Sequence, residues 1–290
     1  MIVPIIIRTL TLGGVYALLA SGMSLIFGVA RIVNLAHTAF FMVGAYGMWF
    51  LMRQQGWGPI ESILVTVVGI TLLGLLVYRV FLNRVRQHPQ AILLITIAFA
   101  LVFQELLVLA FGSHFRTAPA LIQGSRLILG VRVTNQDLLV LGVVAVVMIV
   151  MWLVLKKTKL GIAIRATAND AEIANLMGIS VPRTLLITMG IGTALAGVAA
   201  VLMAPLWVFY PYIWMSPLTM ILAIVVLGGL GSIKGSVIGA FIIALVETLV
   251  VFLLPQYGYM TTAFALLAMI IVLSVRPGGL FGTIFEEERL

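Results

Sequence analysis

Apolar runs of roughly 15 to 25 residues, each closed by a short basic, glycine-bearing or proline-bearing turn, follow one another along almost the whole chain. At 1.5 Å of rise per helical residue, runs of about this length are what a bilayer core about 30 Å thick demands. They occupy residues 4–28, 35–52, 60–82, 90–112, 137–155, 184–205, 217–233, 236–254 and 261–275. With 63% hydrophobic and only 9% charged residues, and a mean hydropathy of +1.24, no soluble core could hide this much apolar surface. The pattern predicts an all-α polytopic membrane protein with about nine transmembrane helices, roughly eight to ten fitting the runs, in a single transmembrane domain over residues 1–290. The first run has no basic segment before it and continues to spanning length, so no cleaved signal is expected.

One long polar interval, residues 156–181, separates the apolar runs and orients them. Lys156, Lys157, Lys159, Arg165 and Arg183 lie at or near its borders, and such clusters mark the cytoplasmic side of a membrane. Arg31, Arg84, Arg86, Lys234 and Arg276 then fall on the same side, which predicts the N-terminus outside and the C-terminus in the cytoplasm. The outer side receives Trp57, the aromatics Trp207, Phe209, Tyr210, Tyr212 and Trp214 as an interfacial belt, and a loop over residues 113–136. That loop has an apolar stretch interrupted by Gly124, Arg126, Gly130 and Arg132, too polar to span and suited to a strand or short helix on the surface. The net charge of +8 comes from short loop clusters facing anionic lipid, with no aromatic-interleaved patch of the nucleic-acid kind. Cysteine is absent, which removes disulfides, thiol catalysis and thiolate metal sites.

Within the polar interval, residues 165–178 read as a short amphipathic helix. Ile164, Ala168, Ile173, Leu176 and Met177 recur near helical spacing, Asp170 and Glu172 sit early where the helix dipole favours acids, and Gly178 is the stop. Such a helix either docks a partner or rests on lipid headgroups. Two glycine-rich stretches, residues 28–47 and 228–239, break apolar runs so that short or discontinuous helices are expected. Five spans apart, they are expected to enter the membrane from opposite sides, as inverted-repeat halves would; tight loops between packed helices would also use such glycines.

The chemistry on offer is sparse. Residues 229–236 lack the Gly-Lys-Ser/Thr order of a phosphate loop. His37, His88 and His114 are scattered, with no metal-ligand spacing, and no nucleophile and base stand together as an enzyme needs. Glu105 and Glu247 lie inside runs, in the outer half of each. Intramembrane acids are costly and usually line protein interior or a wet cavity, unless they reach water at the interface. Arg8 is placed to snorkel at the outer end of the first run.

Four strings, GGVYALLASGMSLIFGVARIVNLAHTAFFMVGAYG, KLGIAIRATANDAEIANLMGI, VVLGGLGSIKGSVIGAFIIALVETL and RPGGLFG, in this order and spacing closely resemble the permease subunit of branched-chain amino-acid ABC importers, in its shorter, LivH-type form. The resemblance covers essentially the whole chain. It implies a second homologous permease, two cytoplasmic ATPases that bind ATP and Mg, an extracytoplasmic solute-binding protein and a plasma-membrane location, with no cofactor or metal in this chain. Carried over, residues 165–178 are the coupling helix, with Arg165, Asp170, Ile173, Leu176, Met177 and Gly178 at the ATPase. Asn34, His37, Glu105, Glu247, Gly228, Gly229 and Gly231 are placed along or beside the translocation path.

The family commonly reads Asn-Leu-Ala-His-Gly-Glu where this chain has Thr38 and Ala39 after His37, and an amide is common at Glu105. Branched-chain amino acids, urea and short amides are all therefore open as substrates. The contrasting function is an ion-coupled secondary transporter or channel using His37, Glu105 and Glu247 without ATPase partners. The orientation is tested directly in this cysteine-free chain. A single cysteine at Thr158 or Ala168 should label only from the cytoplasm and one at Gln123 only from outside; labelling of both from one side would overturn the topology.

Overall fold

A computed structural model of the chain describes residues 2–86, 88–128 and 130–282. The two chain ends, on which the expected terminal orientation falls, lie outside that range. Inside a bilayer the backbone has no water partner, so runs of this length close their hydrogen bonds internally as helices. Among the described residues seven are long and apolar enough to cross a membrane. These are α1 (Ile2–Ala30), α3 (Pro59–Val80), α4 (Pro89–Phe111), α5 (Asn135–Lys157), α8 (Val181–Met203), α10 (Ile233–Leu253) and α11 (Thr261–Val275), the last continuing a turn from Pro255. The other two apolar runs form shorter helices, α2 (His37–Trp49) and α9 (Met215–Gly228). All nine runs are helical, but seven rather than nine have full spanning length.

The centre of the bundle is α1. From Thr9 to Val29 nearly every side chain is buried, because α5, α8, α9 and α10 all pack on it. A helix apolar on every face belongs in such a place. Its partner α8 is similarly enclosed, with 72% of its apolar window buried, whereas α11, at 6%, presents nearly all of its surface outward. Lipid tails are as apolar as leucine, so helices associate by close packing at small residues. The α1–α8 crossing is of that kind. A Cβ on Gly22 would lie 2.9 Å from the Gly192 carbonyl oxygen and 3.0 Å from the His37 ring.

The shortness of α2 has a local cause. Arg31, at φ 55 in the left-handed region, closes the C-terminus of α1, its N–H bonding to Phe27 O at 2.8 Å. The chain then turns back extended. Asn34 Oδ1 accepts the Ala36 N–H at 3.1 Å, and His37 Nε2 donates to the Leu19 carbonyl at 3.1 Å. Leu19 lies eleven residues inside the end of α1, about 16 Å at helical rise. Thus α2 starts midway along α1, and the backbone from Arg31 to Ala36 re-enters the bundle, where irregular structure is tolerated because protein surrounds it. From there α2 runs to the far end, where Tyr46 meets Phe111 and Phe209 at 5.6 and 5.1 Å between ring centroids.

The two glycine-rich stretches do not lie at opposite sides. A Cβ on Gly28 would meet the Gly231 carbonyl oxygen at 3.0 Å, so the end of α1 and the α9–α10 turn share one end of the bundle. The five-span spacing therefore does not separate them in space. At the turn Gly228 and Gly235 touch through their backbones, a Cβ on Gly235 falling 1.9 Å from Gly228 O. The tail returns to this point, with Leu280 N–H on Leu227 O at 2.8 Å and Phe281 N–H on Gly228 O at 3.0 Å. These bonds satisfy carbonyls that the end of α9 leaves open.

Arg31, Arg86, Lys156, Arg165 and Lys234 gather around cavities at this same end, which is called the basic end below. At the other end the loop at 113–136 forms an antiparallel hairpin, β1 (Ser125–Ile128) and β2 (Val131–Thr134), register Ser125 to Thr134. Thr134 then caps α5 by accepting the Asp137 N–H. Arg116 and Phe209 exchange backbone bonds of 2.9 and 2.8 Å, joining this loop to the segment after α8. The expected aromatic belt is only partly interfacial. Phe209 and Trp214 are buried, Trp214 because its indole N–H reaches Gln104 Oε1 at 2.8 Å.

Backbone contact at Gly235 makes a strong demand. Gly235→Val should prevent α9 and α10 from closing, with a loss of about 2 kcal/mol or more, as overpacking of a full interface gives. Gly142→Val on α5, where an added Cβ meets nothing within 4 Å, should be nearly neutral. Thermal unfolding of detergent-solubilised protein checks the pair, and equal melting temperatures would contradict this account.

Candidate translocation groove and docking surface

The polar interval forms an elbow at the basic end. After α5 the backbone turns at Thr158, whose hydroxyl donates to Val154 O at 2.6 Å and accepts the Gly161 N–H at 3.1 Å. The turn is so tight that a Cβ on Gly161 would lie 2.2 Å from Leu155 O. Next come α6 (Lys159–Asn169) and α7 (Ala171–Leu176). The single helix expected over residues 165–178 is therefore two. Asp170 interrupts it in extended conformation, φ −153, and its carboxylate accepts the N–H groups of Glu172 and Ile173 at 2.9 Å each. A short acidic residue that caps so well starts a new helix rather than continuing the old one.

The elbow is strapped to the bundle. Arg165 donates to the Leu155 carbonyl and Arg31 to Ala168 O at 3.3 Å, while Ile164, Thr167 and Ala174 are buried. Arg165, exposed like Asp170, thus also braces α6 to α5, and Asp170 caps α7. Gly178 ends α7 as expected, at φ 83, with the Ile179 N–H on Ala174 O at 3.0 Å. Among the residues the elbow leaves outward are three large apolar ones. Ile173, Leu176 and Met177 are 59%, 80% and 78% exposed.

A second feature runs along α1. Between its flanking neighbours α5 and α10 two cavities open, one toward the hairpin of about 440 Å³ and one at the basic end of about 750 Å³. Arg8, Thr11, Arg132, Asp137 and Trp207 are among the residues lining the first. The second is mostly apolar, with Met151, Trp152 and Ile164 on its wall and Lys156, Arg165 and Lys234 at its mouth. Lys156 lies over the Trp152 ring at 4.8 Å, where a cation is attracted by the ring face. Between the cavities α1 is pinched by its neighbours. A Cβ on Gly13 would sit 2.6 Å from Phe241, and one on Gly14 3.1 Å from Val144. Just past the pinch the Tyr16 hydroxyl donates to Glu247 Oε2 at 3.0 Å, and its ring meets Trp207 edge-on at 6.3 Å.

The expected path residues divide between groove and core. Glu247 faces the pinch, and Gly231 lines the basic-end cavity. Gly228 and Gly229 instead lie in backbone contacts with Gly235 and Gly282. Asn34 and His37 are fully enclosed; Asn34 reaches the Met189 sulfur at 3.9 Å and borders only a space of about 10 Å³. Both hold the re-entrant segment and border neither groove cavity. Glu105 is exposed beside Leu101, Val102, Leu106 and Leu109, on an outward face of α4, where Gln104 Nε2 donates to it at 2.9 Å. The sequence reading missed Asp137, Tyr16 and Trp207, and gave Arg8 only an interfacial place. Tyr16 meets Glu247 and Trp207, and Arg8 shares a cavity with Asp137, each across more than a hundred residues, so no spacing signals them.

A many-helix membrane bundle with a groove along its central helix and an apolar elbow at its basic end is the body of a multi-pass permease. The comparisons with known proteins make this specific. The chain belongs to the family described as "Branched-chain amino acid transport system / permease component", whose profile matches residues 5–273. It is 30% identical to the high-affinity branched-chain amino acid transport system permease protein LivH of Escherichia coli K12, covering 94% of this chain and 92% of that one. It is 28% identical to BraD of Pseudomonas aeruginosa over 96% and 94% of the two chains, and 28% identical to a probable LivH of Methanocaldococcus jannaschii over 93% and 89%. No solved structure matches the chain significantly.

The Tyr16–Glu247 bond should be measurable in isolation. Tyr16→Phe and Glu247→Gln should each destabilise the detergent-solubilised protein, with a coupling of about 0.5–3 kcal/mol in the double-mutant cycle, the range for side chains in direct contact. Strictly additive effects would show that the two side chains do not act as a pair.

Proposed function

We propose that this chain is one of two homologous permease subunits of an ATP-binding cassette importer for branched-chain amino acids in the plasma membrane. The basic end faces the cytoplasm, in keeping with the excess of Lys and Arg there, the N-terminus lies outside and the C-terminus inside. Two cytoplasmic ATPases, which bind ATP and Mg, dock on the elbow, and an extracytoplasmic solute-binding protein delivers substrate at the hairpin end. This chain performs no chemistry of its own. Closure of the ATPases moves α6 and α7, and because Arg165 and Arg31 brace the elbow to α5 and α1, the motion reaches the groove. The groove then opens alternately to each side.

The observation that carries this reading is the exposed trio Ile173, Leu176 and Met177 on a short, doubly capped helix. Resting on lipid headgroups is the other use of such a helix, but α7 has its ends fixed at Asp170 and Gly178 and its base held by Arg165, as a lever requires. The ion-coupled alternative is not favoured. Its relay residue His37 is sealed from both groove cavities, and the relatives found are permease proteins of branched-chain amino acid transport systems.

A docking contact of this size depends on a few central apolar anchors. Leu176→Asp should therefore abolish co-purification of the ATPases and ATP-driven uptake of leucine, since it buries an unpaired carboxylate. Membrane insertion should be unaffected, because Leu176 is 80% exposed and outside the spans. Asn175→Ala should transport normally. Unaltered ATPase association in Leu176→Asp would remove the elbow from the mechanism.

A further inference from the structure

We propose that the 440 Å³ cavity at the hairpin end is a receiving site for a zwitterionic α-amino acid, with Arg8 holding the carboxylate, Asp137 the ammonium, and an apolar wall the branched side chain. This rests on the substrate assigned above and goes beyond it, because it places solute recognition in the permease itself. Three observations meet there.

The first is charge of both signs in one small space. Arg8 on α1 and Asp137 on α5 line the same cavity with Arg132 of β2. Arg8 makes no direct hydrogen bond or ion pair among the described residues, its charge acting at longer range on Glu247 below the cavity. Asp137 is oriented rather than neutralised, Thr134 donating to its Oδ2 at 2.5 Å, and its Oδ1 has no partner among the described residues. A cation and an oriented anion that line one cavity without pairing with each other match a ligand carrying the opposite arrangement. The basic-end cavity is different in kind. Lys156, Arg165 and Lys234 line it and, among the described residues, no acid does.

The second is the wall. Ile7, Leu12, Met203, Leu206 and Phe252 give an apolar lining, and the volume lies within the range of small-molecule sites, about 300–1,000 Å³. A branched aliphatic side chain fits such a wall; urea would leave it in contact with water. The third is an unfilled polar position. Thr11, 5% exposed, lines the cavity, and its hydroxyl has no hydrogen-bond partner among the described residues. Below it, Trp207 contacts Tyr16, which holds Glu247, so the cavity ends on the pinch that separates it from the basic-end cavity. A solute bound here waits directly above the closed part of the groove.

The test uses the whole permease–ATPase complex in nanodiscs, without binding protein or ATP, and three probes: leucine, leucinamide, which lacks the carboxylate, and 4-methylpentanoate, which lacks the ammonium. Leucine should bind most tightly by about tenfold or more over each analogue, the size of a lost charge-assisted hydrogen bond. Arg8→Gln should weaken leucine by the same factor and leave leucinamide unchanged, Arg8→Lys should restore part of the loss, and Asp137→Asn should weaken leucine but not 4-methylpentanoate. Equal binding of the three probes, no leucine binding, or variants that weaken all three alike would overturn the site. A parallel measurement of ATP-driven leucine uptake with binding protein separates the two levels. Uptake without this binding pattern defeats the receiving site alone, and absence of uptake in the unmodified complex defeats the substrate assignment on which it rests.

Discussion

Close backbone approach around α1 is the constraint on which the rest of the structure depends. In a bilayer, burying apolar side chains gains nothing over leaving them in lipid, so a helix is enclosed only where neighbours come near enough for dense van der Waals contact. Gly22 lets α1 and α8 cross with their backbones almost touching, and Gly28 lets the end of α1 meet the α9–α10 turn. With those two crossings set, α8 and α10 are fixed relative to α1. The outer helices α3, α4, α5 and α11 then pack on what remains exposed.

The same closeness explains where polar groups are found. Asn34 and His37 are deep inside because the re-entrant segment brings backbone amides and carbonyls to mid-bundle, and these need fixed partners. The Asn34 side chain bonds the Ala36 N–H, and the His37 ring bonds the Leu19 carbonyl. A ring enclosed in the core and held by one nitrogen to a helix carbonyl borders neither groove cavity and has no path by which to relay protons along the groove. The charged groups Arg8 and Asp137 stand instead at the rim of the groove, where two helices flank α1 without closing over it.

The elbow shows how a short polar interval becomes a mechanical part. The turn at Thr158 needs Gly161, the brace needs Arg165 to reach back ten residues to Leu155 O, and the second start needs Asp170. They also position Ile173, Leu176 and Met177, so an apolar surface stands among the exposed charges of this stretch.

Composition and the lengths of the apolar runs by themselves determined an all-α membrane protein, and the four family strings determined the kind of permease. Gly178 as a stop and the strand-like outer loop were also legible, because caps and turn residues act over a few positions. Tertiary structure alone decided that α2 begins at half depth, that the two glycine-rich stretches meet at one end, and that residues 165–178 break at Asp170. It alone set His37 in the core and drew Arg8 and Asp137, 129 residues apart in the chain, into one cavity. The physical reason is range. Hydropathy and capping are properties of neighbouring residues, whereas the depth of a re-entrant helix and the lining of a groove follow from which backbones can approach across the bundle.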